Sequence, residues 1–504
     1  MLRRKFTANI LYNLLGGIVP LIIAFAAIPF LIRGLGTERF GVLTLIWTIL
    51  AYFSIFDAGV GRAVTKFVAE HIAQGRNAEI PSLVWTAGAL IAIVGIIGGG
   101  ILAVTTPLVL ASVLDIPSAL QLETLNSFYC ISVAIPFLVL SLGFRGVLEA
   151  QRRFDTVNLV LIPCRSLNYL GPVLLLQFAQ RLDVIAAFLL LNQMVMAITL
   201  VYLCIRSISG VPHYSLLDKQ YIRPLLSYGG WLTVSSIVSP FMEYIDRVIV
   251  GAMLTLSAVA YYTTPYESVS KLMFLPVAVT GVLFPVFSSL VVSRPEEAAD
   301  SLFRAVKLLV ITLVPLVLTL LLLSDTLLTA WVGAKFAQHS VGVLRWLIVG
   351  CLLFNALGRI FTNWTHAHNR PDVTAKVHLL ELPVYLMLLW YLVHQYGIVG
   401  AAVAWVARAL VDMIFLSWFS FCYLGNYHHH FLLLLRWLGL IVVACCAVVV
   451  LSELLPQLLI RLAMLLAILI VYSITTWRLI LSADERQIAL SQLTVIKSNI
   501  YPSR

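Results

Sequence analysis

Residues 228–253 read YGGWLTVSSIVSPFMEYIDRVIVGAM, and this stretch decides the fold. It is long enough to cross the hydrocarbon core of a bilayer, which takes about 20 mostly apolar residues. Yet Glu243, Asp246 and Arg247 fall within about one helical turn of each other. A charge inside hydrocarbon costs about 2.5–3.5 kcal/mol per residue even on the mildest insertion scale. Such groups therefore face a neighbouring helix, a partner charge or a water-filled cavity, and a chain that keeps them handles something polar.

Working outward, the same pattern recurs along the chain. Hydrophobic residues make up 61% of the 504 and charged residues 11%, against roughly 25% charged in soluble domains. Apolar runs near 9–32, 41–66, 83–110, 122–146, 157–179, 182–206, 226–252, 258–290, 304–324, 340–365, 374–395, 398–424, 432–454 and 458–480 predict an all-α integral membrane protein of about 14 transmembrane helices. A missed or invented hairpin would make the number twelve without changing its parity. With the N-terminus inside, 22 of the 33 Lys and Arg residues fall in cytoplasmic loops, six on the opposite side (Arg33, Arg39, Arg181, Lys335, Arg345, Arg461) and five within spans. That asymmetry obeys the positive-inside rule and predicts cytoplasmic termini. The basic start, Arg3-Arg4-Lys5, precedes an apolar run too long for a signal peptide, so an uncleaved first span is expected.

The net charge of +10 is dispersed over short loops, which points to anionic lipid at the cytoplasmic face and not to nucleic acid. No cysteine pair has metal-ligand spacing, His428-His429-His430 reads as a solvated loop, and no cofactor is expected. No P-loop, H-E-x-x-H or nucleophile elbow is present, so no catalytic residue is assigned. The polar connection at 208–225 divides the chain into a six-helix bundle at 1–207, a second at 226–424, and a final pair of helices with a tail at 425–504. Two such bundles around a central cavity suit a transporter. Gly95, Gly98, Gly99 and Gly100 predict close helix packing in the third span.

Helical spacing sorts the charges. Arg145 and Glu149, Glu243 and Arg247, Glu267 and Lys271, and Arg408 and Asp412 are i,i+4 pairs of opposite sign that share a face and neutralise each other. Asp57, Arg62, Arg165, Arg359 and Glu381 lie in spans outside such pairs. Arginine holds its charge at any accessible pH and grips phosphate with a planar fork. Arg62, Arg165, Lys271, Arg359 and Arg408 are therefore the candidate substrate-binding residues of a cationic cavity. The alternative is partnering across helices, as of Asp57 with Arg62 or Arg359 with Glu381.

LIRGLGTERFGVLTLIWTILAYFSIFDAGVGRAVTKFVAE at 31–70 resembles the first hairpin of Wzx-type oligosaccharide flippases, with LG-x-x-x-FG and then D-x-G. YIDRVIVGAMLTLSAVAYYTTPYESVSKL at 244–272 resembles that family's DR-x-x-x-G…Y segment, and LFPVFSSL at 283–290 its LFP-x-x-S. The resemblance covers most of residues 1–424. It implies a polysaccharide transporter of the superfamily that also holds MATE drug exporters and the lipid II flippase MurJ. The implied cargo is an undecaprenyl-pyrophosphate-linked oligosaccharide, moved from the cytoplasmic to the periplasmic leaflet of the bacterial plasma membrane by alternating access, alongside polysaccharide polymerase and glycosyltransferase partners. The family motifs fall on Asp57, Gly59, Asp246 and Arg247, and ion coupling or gating is expected of Asp57, Asp246, Arg247, Glu267 and Glu381. Two rivals remain at this stage: a MATE-type exporter, whose cavity should be acidic, and a membrane polysaccharide polymerase, which should carry a sizeable extracytoplasmic loop.

Overall fold

The computed structural model describes residues 2–55, 60–112, 116–151, 153–208, 218–273, 295–368, 370–424, 428–455 and 457–481 with a few single positions; the side chains of 1–16, 61–63 and 226–240 lie outside that description. Asp57, Gly59, the Arg62 side chain and all of the 283–290 motif except Phe287 are likewise outside the described residues. Within them the chain is helical: α1 (Leu2–Ile55), α2 (Val60–Ala73), α3 (Ile80–Ser112), α4 (Ser118–Ala150), α5 (Phe154–Leu175), α6 (Leu182–Ser207), α7 (Lys219–Met253) and α8 (Leu256–Lys271). There follow α9 (Pro295–Leu322), α10 (Ser324–Val332), α11 (Ala334–Val349), α12 (Ala356–Ala367), α13 (Pro371–Trp418), α14 (His428–Leu454) and α15 (Leu458–Thr475).

Over the described residues each expected span falls on helix except for short turns at some ends, as at 176–179 and 272–273. Nine stretches among them are long and apolar enough to cross a membrane, and two of these hold two expected spans each. Gly36 (φ 76°) breaks α1 and Gly397 (φ 58°) breaks α13. Only glycine enters that left-handed region without strain, so these two positions turn long helices into hairpins. Polar side chains inside the spans bond to the preceding turn, as Thr48 to Thr44 O (2.8 Å) and Ser132 to Phe128 O (2.8 Å) do. Backbone carbonyls thereby satisfy hydroxyls where water is absent.

The chain divides into two compact units, residues 1–271, 331–343 and 372–408, and residues 272–330, 344–371 and 409–504. In the first, α4 packs between α3 and α6, while α1 lies against α5 and α8. Gly95 and Gly99 bring α3 onto α4: an added Cβ would sit 2.7 Å from Pro136 Cα and 2.3 Å from Ser132 O. Gly98 faces the Phe53 ring at 2.7 Å, whereas Gly100 meets nothing within 4 Å, so three of the four expected packing glycines are in close contact. Gly99→Ala should therefore destabilise by about 1–3 kcal/mol through overpacking. Gly100→Ala should be neutral or stabilising by up to about 1 kcal/mol. Thermal unfolding of the two variants in detergent compares them.

Arg39 and Arg181, counted on one side by charge, both lie near Glu123. Arg39 bonds Glu123 (3.1 Å), which also accepts from the backbone N–H of Leu182, beside Arg181. Near Arg76 and Lys219, counted on the other side, Tyr221 donates to Glu79 (2.8 Å) and Ser82 to Asp218 (3.1 Å).

In the second unit α9 packs against α12, α14 and α15. His428–His430 form the first turn of α14 and not a loop. The reason is aromatic packing, with His430 4.5 Å from the Phe303 ring and 5.8 Å from Phe421. Arg345 and Arg461, expected at one face, share a cluster: Arg345 bonds Glu453 (2.6 Å) and Ser452 (3.0 Å), and Arg461 bonds Asp325 (2.5 Å) and Ser452 O (2.6 Å). Outward faces carry bare apolar side chains, such as Val104 and Leu459, each 81% exposed. A surface of this kind fits hydrocarbon and not water.

Candidate functional site

The charged turn of α7 sits at the heart of the first unit. Arg247 is 1% exposed, its guanidinium lying 4.6 Å from the centre of the Tyr244 ring and 4.5 Å from that of Tyr266. It bonds Glu267 on α8 (3.3 Å) and Thr48 on α1 (3.4 Å). The expected Glu243–Arg247 pair is not made. Tyr266 OH donates to Glu243 (3.0 Å) instead, because the arginine's planar fork finds a carboxylate and an aromatic face on α8, beside the Tyr244 ring of its own helix. Asp246, fully buried, accepts from the Arg247 backbone N–H (2.7 Å) and from Tyr262 OH.

Glu267 is shared. Its second oxygen pairs with Lys271 (3.2 Å), which is the expected i,i+4 contact. Glu267 and Lys271 line a chamber, open on one side to solvent and holding about 800 Å³ of space with that opening included, together with Tyr244, Thr263, Ser268, Trp47, Tyr169 and Trp331. A second chamber, likewise of about 800 Å³ with its opening to solvent included, adjoins it across Trp47, Ala51 and Tyr169. Arg165 and Arg145 line that one, with Asn168 and Gln193. Arg145 is held by Glu149 at 2.6 Å, as expected. Arg165 makes no ion pair or hydrogen bond among the described residues. Its cation stands in a chamber whose lining includes no carboxylate among the described residues.

The other candidates lie elsewhere. Arg408 on α13 packs over Tyr385 (5.5 Å) and Trp405 (5.4 Å), and Trp405 meets Tyr266 edge-on at 5.7 Å. Ring contacts thus link Arg408 to Arg247, though neither chamber lining includes Arg408. Glu381 is half-buried on the same helix. Arg359 is exposed on α12 of the second unit. An apolar cleft of about 570 Å³ lies beside the first chamber, shares Thr48 and Tyr244 with it, and is lined by Tyr52, Phe53, Leu102 and Phe241. Sequence reasoning missed the aromatic walls and assigned Arg145 no role beyond its pair. The i,i+4 run Trp47, Ala51 on α1 was the available signal for the shared wall.

Helical spans around charged interior chambers define a multi-pass membrane protein of the transporter kind. The fold agrees: an inward-facing multidrug resistance MATE family transporter superposes with a TM-score of 0.70 at 13% identity, covering 82% of this chain and 99% of that one. The lipid II flippase MurJ, in an inward closed conformation, gives 0.63 at 15% identity over 88% and 98%. The sequence profile of the family described as "Polysaccharide biosynthesis protein" matches residues 6–291, more than half of the chain, and the chain belongs to that family. A Shigella flexneri protein named as a candidate O-antigen transporter is 29% identical over 412 residues, 81% of this chain and 96% of that protein.

Proposed function

We propose that this protein flips an undecaprenyl-pyrophosphate-linked oligosaccharide from the cytoplasmic to the periplasmic leaflet of a bacterial plasma membrane, for surface polysaccharide assembly. The observation that carries the reading is Arg165, a cation with no ion pair or hydrogen bond among the described residues, beside Arg145 in a chamber of the first unit. A pyrophosphate cannot cross hydrocarbon unaided, and an arginine fork held away from bulk water binds it more strongly than one in solvent. Hydroxyl and aromatic groups of the neighbouring chamber accept the glycan. The apolar cleft beside Thr48 and Tyr244 gives the polyprenyl chain a route that stays in lipid. Alternating access follows if the two halves rock about this site, with the termini in the cytoplasm and polymerase or glycosyltransferase partners nearby. The Arg247–Glu267–Lys271 relay is the place to look for ion coupling or gating.

A cation exporter of the MATE type is disfavoured by the chamber linings. Glu267 is their only carboxylate among the described residues, and Arg247 and Lys271 already claim it.

Reconstituted protein and a labelled undecaprenyl-pyrophosphate-linked sugar supply the test. Losing a charge-assisted contact worth about 2 kcal/mol lowers transport roughly thirtyfold, so Arg165→Ala should slow flipping by about that factor. Unchanged flipping in Arg165→Ala, together with loss of cation export in Glu267→Gln, would overturn the reading in favour of the exporter.

A further inference from the structure

The two chambers of the first unit are separated by a thin wall, and its principal part is the Trp47–Tyr169 ring pair, with centroids 4.9 Å apart at an interplanar angle of 55°. Phe40 meets the Trp47 indole edge-on at 6.2 Å. Trp47 Nε1 is buried and has no acceptor among the described residues. Trp364 and Trp405 share this state, but of the three only Trp47 lines the two chambers, and a buried indole N–H left without an acceptor costs stability that phenylalanine in the same place would not. The chain therefore keeps a hydrogen-bond donor in reserve at the boundary between two chemically different spaces. On one side stand the Arg165 and Arg145 guanidiniums; on the other are Thr263, Ser268 and the Tyr244 ring.

We propose that Trp47 is a specificity-determining residue that reads the sugar bonded directly to the pyrophosphate. This rests on the function proposed above. With the pyrophosphate on Arg165, the next unit of the substrate lies at the shared wall and the remaining glycan extends into the Lys271 chamber. A pyranose has an apolar C–H face and a hydroxylated rim. An indole matches both, with a broad apolar face for the ring and, once the side chain turns, an N–H for a sugar oxygen. Tyr169 forms the opposite jaw. Neither a polyprenyl chain nor a bare phosphate would make use of that combination.

The experiment measures binding in nanodiscs of undecaprenyl pyrophosphate and of undecaprenyl pyrophosphate carrying one N-acetylglucosamine or one galactose, and takes the ratio of sugar-bearing to sugar-free affinity. The ratio should fall about tenfold in Trp47→Ala. In Trp47→Phe, which keeps a ring in the wall and removes the N–H, it should fall about threefold. A tryptophan that only packs would leave the ratio unmoved even if both affinities drop, and an unmoved ratio in both variants overturns this inference. Arg165→Ala, run alongside, should weaken all three probes alike. If it weakens none, or if the wild-type protein binds none of them, the underlying function fails. The Trp47 ratio and the Arg165 result thus report separately on the two proposals.

Discussion

Arg247→Ala is expected to lower the stability of the folded protein by about 3–5 kcal/mol, the range for breaking a buried ion pair by removing one partner. The side chain is 1% exposed, so no solvent softens the loss. Truncation empties the space between the Tyr244 and Tyr266 rings, which each lie within 4.6 Å of the guanidinium. It also frees one oxygen of Glu267, leaving that carboxylate to Lys271, whose side chain is 38% exposed. Arg247→Lys should recover little, because an ammonium cannot lie flat between two rings while bonding both Thr48 and Glu267. Thermal unfolding in detergent gives the size of the effect. A double-mutant cycle with Glu267→Gln should return a coupling of about 0.5–3 kcal/mol, since the two groups touch. A change within about 0.5 kcal/mol for Arg247→Ala would show that the network does not hold α7 to α1 and α8.

That network also marks how far the sequence can be read. The class of fold was legible, because hydrophobic length and loop charge follow from the bilayer as a solvent and need no tertiary information. Packing glycines were legible for the same local reason. What the residues alone did not give was the choice among partners. Glu243 and Arg247 are correctly spaced for each other, and each prefers a side chain from α8. The i,i+4 rule describes an isolated helix, and here α8 offers Arg247 a carboxylate and an aromatic face at once. Arg145–Glu149 and Glu267–Lys271 kept their predicted partners. Depth in a span predicted Arg165 as a cavity residue, and it lines a chamber. The same argument applied to Arg408 and Arg359 could not say which way each side chain turns. One lies over Tyr385 and Trp405, and the other is exposed on α12.

Arg461→Ala is expected to destabilise the second unit by about 3–5 kcal/mol, because this residue does there what Arg247 does in the first. Its sequence position, just inside α15 after a short turn, suggested a surface loop charge. Instead it is 5% exposed and closes the turn between α14 and α15. Its Nε donates to Leu455 O (2.5 Å) and its Nη2 to Ser452 O (2.6 Å), two carbonyls near the end of α14 that have no helical partner ahead of them. Its Nη1 reaches α10, bonding Asp325 (2.5 Å) and Thr326 (3.1 Å). One side chain therefore caps a helix and ties the terminal hairpin to the turn after α9. Alanine would leave both carbonyls without that donor, one of them on the buried Ser452. Asp325→Asn should cost less, since a side chain 38% exposed can be rehydrated and the two carbonyl bonds survive. Acid should act through the same contact. Partial burial would raise the Asp325 carboxyl, but the hydrogen bond from Arg461 holds it below the usual carboxylate range. Its share of stability is then complete at neutral pH, begins to decline as pH nears the ordinary carboxylate value, and is lost as pH falls through the lowered one. Thermal unfolding of the wild type and of Asp325→Asn should converge over that acid range. The absence of a wild-type advantage over Asp325→Asn at neutral pH would show that the clamp works through Arg461's carbonyl bonds alone, since both proteins keep them.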